Sequence, residues 1–423
     1  MPDMNSYLLH NTTLIDGTGS APVAQAAVLV DGGHITWAGP ESAFVPDPAE
    51  IVTRVDLQGH TLCPGFFDCH VHFALPGTTG SVLERALKPP SYELFALLSR
   101  LRVTLHNGVT TARDLMGIDV GVREAVADGL IDGPRLLVAI DMLSQTSGHA
   151  DFHLPSGIDL GPLIGACRVD TVDAARLRAR ELIRQGADII KVASSGGVSS
   201  PNDDPSWLGM RREMIAAVVE EGQDYGGVPV AAHTIGYPGI RAAVEAGVHS
   251  IEHGYEIDDE LRAQMVSQGT FLVPTLLETM TPVTASPQGA AKSAKWHAMA
   301  HDSIAASVAA GVKVAVGTDA GLSPDHGTNL GELGLLVRFG GLTPMQAIVA
   351  GTSTSAQLCG VADTLGTVVA GKLADLVVVR GNPLDDIDSI GQPANILLVV
   401  KEGRAVSNRG GFGVPAPGGG GPR

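Results

Sequence analysis

Thr171-Val172-Asp173-Ala174-Ala175-Arg176-Leu177-Arg178-Ala179-Arg180-Glu181-Leu182-Ile183-Arg184-Gln185-Gly186-Ala187-Asp188-Ile189-Ile190-Lys191-Val192-Ala193-Ser194 reads in two halves. In the first, Ala175, Ala179, Leu182 and Ile183 recur at three- and four-residue spacing on one face, Arg176, Arg178 and Arg180 fall elsewhere, and Gly186 can cap the end of a helix. The second, Asp188–Ser194, is an apolar run of strand length. A helix that runs straight into a strand is one step of a βα repeat, and the same texture extends outward in both directions, from residue 64 to 360. The spacing predicts strands over Phe66–His72, Thr110–Leu115, Arg135–Ile140, Asp188–Ser194, Pro229–Thr234, Ser250–His253, Phe271–Leu276 and Lys313–Asp319. Eight runs, each separated by room for a helix, suggest an α/β fold with a closed (β/α)8 TIM barrel. An open doubly wound sheet is the alternative, but no Gly-x-Gly-x-x-Gly turn follows the first strand to support a dinucleotide site.

The flanks read differently. Residues 1–63 alternate short apolar runs such as Ala26–Val30 with turn signals such as Asp31-Gly32-Gly33, and the texture returns in 361–409 around Gly371-Lys372 and Gly381-Asn382-Pro383. The two ends together are expected to form a small composite β-sandwich domain. The Gly- and Pro-rich stretch 410–423 has nothing evident to bury and is expected to be a disordered tail.

Composition sets outer limits. The 423 residues are 44% hydrophobic and 17% charged, which supplies a large core and excludes disorder over most of the chain. Twenty-eight Lys+Arg against 45 Asp+Glu leave a formal charge of −17, which repels polyphosphate and argues against nucleic acid as a partner. Cys63, Cys69, Cys167 and Cys359 have no short-spaced pairing, so they read as thiols in a reducing cytoplasm. Met1–Gly19 lacks a basic start followed by an apolar run, and no stretch approaches the ~18 apolar residues of a membrane span. A soluble cytoplasmic protein without a membrane partner is expected.

The strand ends carry the chemistry. The first candidate strand ends in His70-Val71-His72; with 14 His in the chain, roughly half a His-x-His pair arises by chance, so the context decides. At period two both imidazoles share one side of a strand, where two neutral nitrogens can bind one divalent metal. Lys191 stands in a wholly apolar strand, where a bare ammonium is costly and a partner or modification is expected. His233, His253 and Asp319 each end another strand, on the face where barrel enzymes assemble their sites. Any one alone reads equally well as a capping Asp or a hydrogen-bonded core His; six in equivalent places do not.

Pro64-Gly65-Phe66-Phe67-Asp68-Cys69-His70-Val71-His72, Gly108-Val109-Thr110-Thr111-Ala112-Arg113-Asp114, Ile251-Glu252-His253-Gly254, Gly317-Thr318-Asp319 and Gly371-Lys372-Leu373-Ala374-Asp375-Leu376-Val377-Val378 together resemble the amidohydrolase superfamily of metal-dependent hydrolases over nearly the whole chain. Lys191–Val198 and Ser147-Gly148-His149 are similar to the branch of Xaa-Pro dipeptidase-like and ochratoxin-degrading amidohydrolases. The resemblance implies two divalent metals, with Zn²⁺ best suited to nitrogen and oxygen donors: His70, His72 and Asp319 would hold one, His233 and His253 the other. Lys191, carboxylated by CO₂, would bridge them. Asp319 would also move the proton during hydrolysis of an amide bond in a small-molecule substrate, and the chain would form a homo-oligomer, as the family often does.

His149, in the loop after the third strand, is expected to polarise the substrate, and Tyr255, Ser194 and Ser195 to offer it neutral donors. His297 and His301, at i and i+4, lack the following Glu of a metalloprotease helix and read as a solvated face. Arg176–Arg180 likewise reads as the outer face of its helix. Two other functions stay open: a mononuclear deaminase or cyclic-amide hydrolase on the same fold, and a non-catalytic assembly protein.

Overall fold

A computed structural model describes residues 6–46, 52–77, 87–154, 156–198, 203–280, 287–322 and 325–415. The helix expected after Thr171 spans Val172–Gln185. The Thr171 side chain accepts the Ala174 N–H at its start, and Gly186, at φ 91°, ends it in the left-handed conformation that glycine tolerates best. Ala175, Ala179 and Leu182 are buried and Ile183 is half-buried, as the spacing predicts. The arginines are a correction. Arg176 and Arg180 face the neighbouring helix Arg212–Asp224 and both bond Glu221, while Arg178 pairs with Asp141 and Glu181.

Seventeen strands occur among the described residues: β1 Tyr7–Leu14, β2 Val23–Asp31, β3 His34–Pro40, β4 Thr53–Asp56, β5 Thr61–Pro64, β6 Phe66–Val71, β7 Val109–Asp114, β8 Arg135–Val138, β9 Met142–Ser144, β10 Ala166–Arg168, β11 Ile190–Ala193, β12 Val230–Thr234, β13 Ser250–His253, β14 Phe271–Val273, β15 Leu376–Val379, β16 Ile396–Lys401 and β17 Arg404–Asn408. Both chain ends share one hydrogen-bonded sheet, in the order β17-β16-β15-β5-β1-β2-β3 with β4 also on β1. Leu9, Val28, Ile35, Leu62, Leu376 and Leu398 pack together there. The tail enters this core as well. Phe412 is buried, Asn408 fixes its backbone from both sides, and Gly410 N–H bonds Leu397 O, so the expectation of disorder from 410 fails through 415; residues 416–423 lie outside the described residues.

The middle of the chain is an α/β, TIM-barrel-like arrangement of parallel sheets, β6-β7-β8 and β10-β9-β11-β12-β13-β14. Asp188 N–H bonds Val138 O, joining the edge of β8 to the approach of β11. The strand expected over Lys313–Asp319 forms only isolated bridges. It lies between β14 and β6, with Leu272 N–H on Lys313 O and Cys69 N–H on Val316 O, but Thr318 and Asp319 then both donate to His70 O, and Asp319 has φ 61°. That double donation breaks a regular ladder. Gly317 is required there, because a Cβ would lie 2.8 Å from His70 Cβ. The third expected strand stops at Val138 before Ile140, whose φ is 68°, and the short strands β9 and β10 follow where a loop was read.

Candidate metal centre

β6, β11, β12 and β13 deliver His70 and His72, Lys191, His233 and His253 to the same end of the parallel sheets, and Asp319 follows the bridged segment beside them. All six are buried. The His70 ring centroid lies 5.3 Å from His72 and 5.1 Å from His253, and His253 lies 4.7 Å from His233. Asp319 Oδ1 is 3.1 Å from His72 Nε2 and 3.5 Å from His70 Nε2. One donor atom each from His70, His253 and Asp319 fall within 4.8 Å of one another, close enough to share an ion.

Charge and protonation fit that use. Burial holds the His70 and His233 rings well below the usual imidazole range and His253 at about 3, so these rings are neutral and keep a lone pair for a cation. Lys191 is the outlier. Burial lowers its ammonium to about 8, and Nζ has no hydrogen-bond partner among the described residues. An orphaned buried nitrogen near His70, His233, His253 and Asp319 is chemistry that fits a metal group there.

The amidohydrolase model matches residues 61–406. The chain belongs to the amidohydrolase family. Ochratoxinase from Aspergillus niger is 33% identical over 95% of this chain and 87% of that protein, and its crystal structure superposes with a TM-score of 0.85 at 30% identity, covering 96% of each chain. The structure of a prolidase complexed with N-methylphosphonate-L-proline gives a TM-score of 0.87 at 30% identity, covering 96% of this chain and 100% of that one. That of a Xaa-Pro dipeptidase with bound methionine gives 0.84 at 30% identity, covering 95% and 99%. This amidohydrolase is therefore an enzyme that hydrolyses C–N bonds, an amide hydrolase of small molecules, in a family that is generally metal-dependent. Among the described residues no helix is long and apolar enough to cross a membrane.

Several residues that organise the amidohydrolase site went unassigned in the sequence. Glu252 Oε2 meets His70 Nδ1 at 2.9 Å, and its Oε1 accepts from Arg113 Nη2 at 2.7 Å; both side chains are buried. Regular alternation would place Glu252 and His253 on opposite faces of β13. The left-handed backbone at His253, φ 73°, breaks that alternation and lets both reach toward His70. Asp68 accepts from His70 N–H, Thr318 N–H, Thr318 Oγ1 and Asn329 Nδ2, bracing the approach to Asp319. Thr275 Oγ1 lies 2.7 Å from His253 Nδ1. The readable signal was a charge within a buried strand: Glu252 in β13, Asp68 in β6 and the Arg113-Asp114 pair that ends β7.

His149 stacks on His233, with centroids 3.9 Å apart and planes 9° from parallel, and its Nδ1 lies 3.2 Å from Asp203 Oδ2. Gly197 leaves room for that ring, since a Cβ there would lie 2.2 Å from it. The expected hydroxyl donors are engaged elsewhere. Ser194 Oγ donates to His233 O, Ser195 Oγ donates to Gly196 O and accepts Ile235 N–H, and Tyr255 is fully enclosed with its hydroxyl toward Glu278 Oε2 at 3.4 Å. Each of these hydroxyls thus has a partner within the site's frame. His297 is a second correction: it is buried against Ser293 and is no part of a solvated face, while His301 stacks on Phe339. Residues 199–202 and 281–286 lie outside the described residues.

Proposed function

We propose that this amidohydrolase is a binuclear enzyme that cleaves the amide bond of a dipeptide or an N-acyl amino acid. The observation that carries the reading is Lys191 Nζ, buried near His70, His233 and His253 and without a hydrogen-bond partner among the described residues. In the proposed site His70, His72 and Asp319 would hold one divalent cation and His233 and His253 a second, and Lys191, as a CO₂-derived carbamate, would supply an anionic oxygen ligand to them. Zn²⁺ suits this all-nitrogen and oxygen donor set. Two such cations, when bound, lower the pKa of water and polarise a substrate carbonyl.

The chain's own groups do the rest. Asp319, within reach of His70 and His72, accepts the proton lost by the attacking water and returns it to the leaving amine. Glu252 and Thr275, at Nδ1 of His70 and His253, leave Nε2 of each ring to face the cations. His149, held by Asp203 and the His233 ring, stands ready to polarise the substrate. The substrate class is supported by the ochratoxinase, prolidase and Xaa-Pro dipeptidase likenesses.

The proposed frame is a closed (β/α)8 barrel over 64–360, supported by the bonds on both sides of residues 313–320, with a composite β domain from 1–63 and 361–409. Exposed Tyr92, Leu94 and Phe95 on the helix Pro90–His106 support a homo-oligomer. The decisive experiment compares kcat/KM for dipeptides and N-acyl amino acids with that for their C-terminal amides, using metal-replete protein. Faster cleavage of the free acids is expected; activity confined to lactones, cyclic ureas or amino-heterocycles overturns the reading.

A further inference from the structure

Cys69 and Cys359 stand 290 residues apart in the chain and meet in the interior, Sγ to Sγ at 3.8 Å. Cys69 lies in β6, directly before His70, and Cys359 caps the end of the helix Ser355–Leu358. Both are free thiols. A disulfide holds its sulfurs about 2.05 Å apart, so an approach of about 1.8 Å joins them. The pair is enclosed but not sealed. A cavity of about 620 Å³ reaches Cys359, and four other residues that line it, Ile189, Pro229, His249 and Thr270, immediately precede β11, β12, β13 and β14. The cavity therefore lies at the end of the parallel sheets opposite the one that carries His233 and His253, and a small neutral oxidant can enter it without passing them. Cys69 is 0% exposed and Cys359 9%, so Cys359 is the sulfur that such a molecule meets first.

We propose that Cys69 and Cys359 are a redox-modification site, at which a hydroperoxide closes a reversible disulfide that clasps the first parallel strand to the last helix before the C-terminal strands. With hydrogen peroxide the Cys359 sulfur attacks one oxygen, the O–O bond breaks, and a sulfenic acid and one water form. The Cys69 sulfur then attacks the Cys359 sulfur, the S–O bond breaks, the S–S bond forms and a second water leaves. In sum two thiols give up two electrons and two protons, and one peroxide becomes two waters. A dithiol reductant reverses the step by exchange. The loop so closed is long, and the constraint that a disulfide puts on the unfolded chain grows with loop length.

The test treats the reduced full-length protein with hydrogen peroxide, removes the excess with catalase, alkylates the remaining thiols with N-ethylmaleimide and reads the digest by mass spectrometry. The peptides carrying Cys69 and Cys359 are expected joined, two hydrogens lighter than their sum, and dithiothreitol should separate them. The thermal midpoint of the oxidised protein should rise by about 5 °C and return on reduction. Cys359→Ser, close in shape, should unfold near the reduced wild-type midpoint and lose both the cross-link and the rise. The wild-type readouts decide the matter even where the variant does not fold. Alkylation of both cysteines after peroxide, sulfinic acid at Cys359, or a cross-link to Cys167 in place of Cys69 overturns the site. A Cys69–Cys359 cross-link that leaves the midpoint unmoved or lowers it overturns the clasp. No readout uses a substrate, so the result is independent of the dipeptidase reading.

Discussion

His70 presents Nδ1 to the Glu252 carboxylate at 2.9 Å, which leaves Nε2 as the nitrogen that faces Asp319. A buried carboxylate behind a ligand histidine fixes the ring's tautomer and direction. Glu252→Gln keeps the shape but leaves the Arg113 guanidinium buried opposite a neutral amide. Metal affinity should weaken by about 10- to 100-fold, read by competition with a chelator. Stability should fall by ~3–5 kcal/mol, the usual cost of stranding one member of a buried ion pair, read by denaturant unfolding.

Lys191→Ala removes the proposed bridge. Most bound metal and activity should be lost, and excess short-chain carboxylic acid supplied with metal should restore part of the activity by occupying the gap. Elemental analysis beside turnover decides the matter. A variant that keeps two metals per chain and near-normal turnover rules out the binuclear site.

Asp319→Asn preserves shape and removes the basic oxygen. Turnover should drop by ~10²–10⁴-fold, with a smaller change in substrate affinity. Metal content must be followed in parallel, since Asp319 Oδ1 also lies against His72. Full metal loading with unchanged turnover would show that another group moves the proton.

Glu221 gives a pH-dependent contribution to stability. Hydrogen bonds from Arg180, and after them Arg176, outweigh burial and hold its carboxyl below the ordinary glutamate value. The depressed value means that the contribution is complete above about pH 4–5 and is lost as pH falls through the folded-state value. Glu221→Gln should cost about 1–2 kcal/mol at pH 7, between an exposed and a fully buried pair, because the carboxylate is buried while both arginines are partly exposed. Thermal unfolding of both proteins at pH 7 and pH 3 should show the gap closing in acid.

Regular elements were the legible part of the sequence. Ser250–His253 is a strand to the residue, and Thr171–Gln185 buries the predicted face, because a 3.6 or 2.0 period is written directly in side-chain polarity. The residues proposed for the metal centre stood out for a related reason: each is a polar side chain within or at the end of an apolar run. What lay hidden depended on backbone turns and distant partners. Nothing local to Ser195 says that Ile235 N–H will occupy its hydroxyl, and nothing local to Phe412 says that it will join the core of the sheet built from both chain ends. Lys313–Asp319 forms only isolated bridges where two successive N–H groups share one carbonyl, a detail that periodicity does not carry.

His253, Thr275 and Asp319 all adopt left-handed backbone, at φ 73°, 53° and 61°, and none is glycine. Each such residue costs roughly 1–2 kcal/mol that glycine would largely relieve. Selection for heat resistance alone would therefore push these three positions toward glycine and erase chemistry while improving the fold. Breeding a hardier version of this enzyme consequently calls for turnover to be scored in every round, since in these few turns resilience and reactivity compete for the same residues.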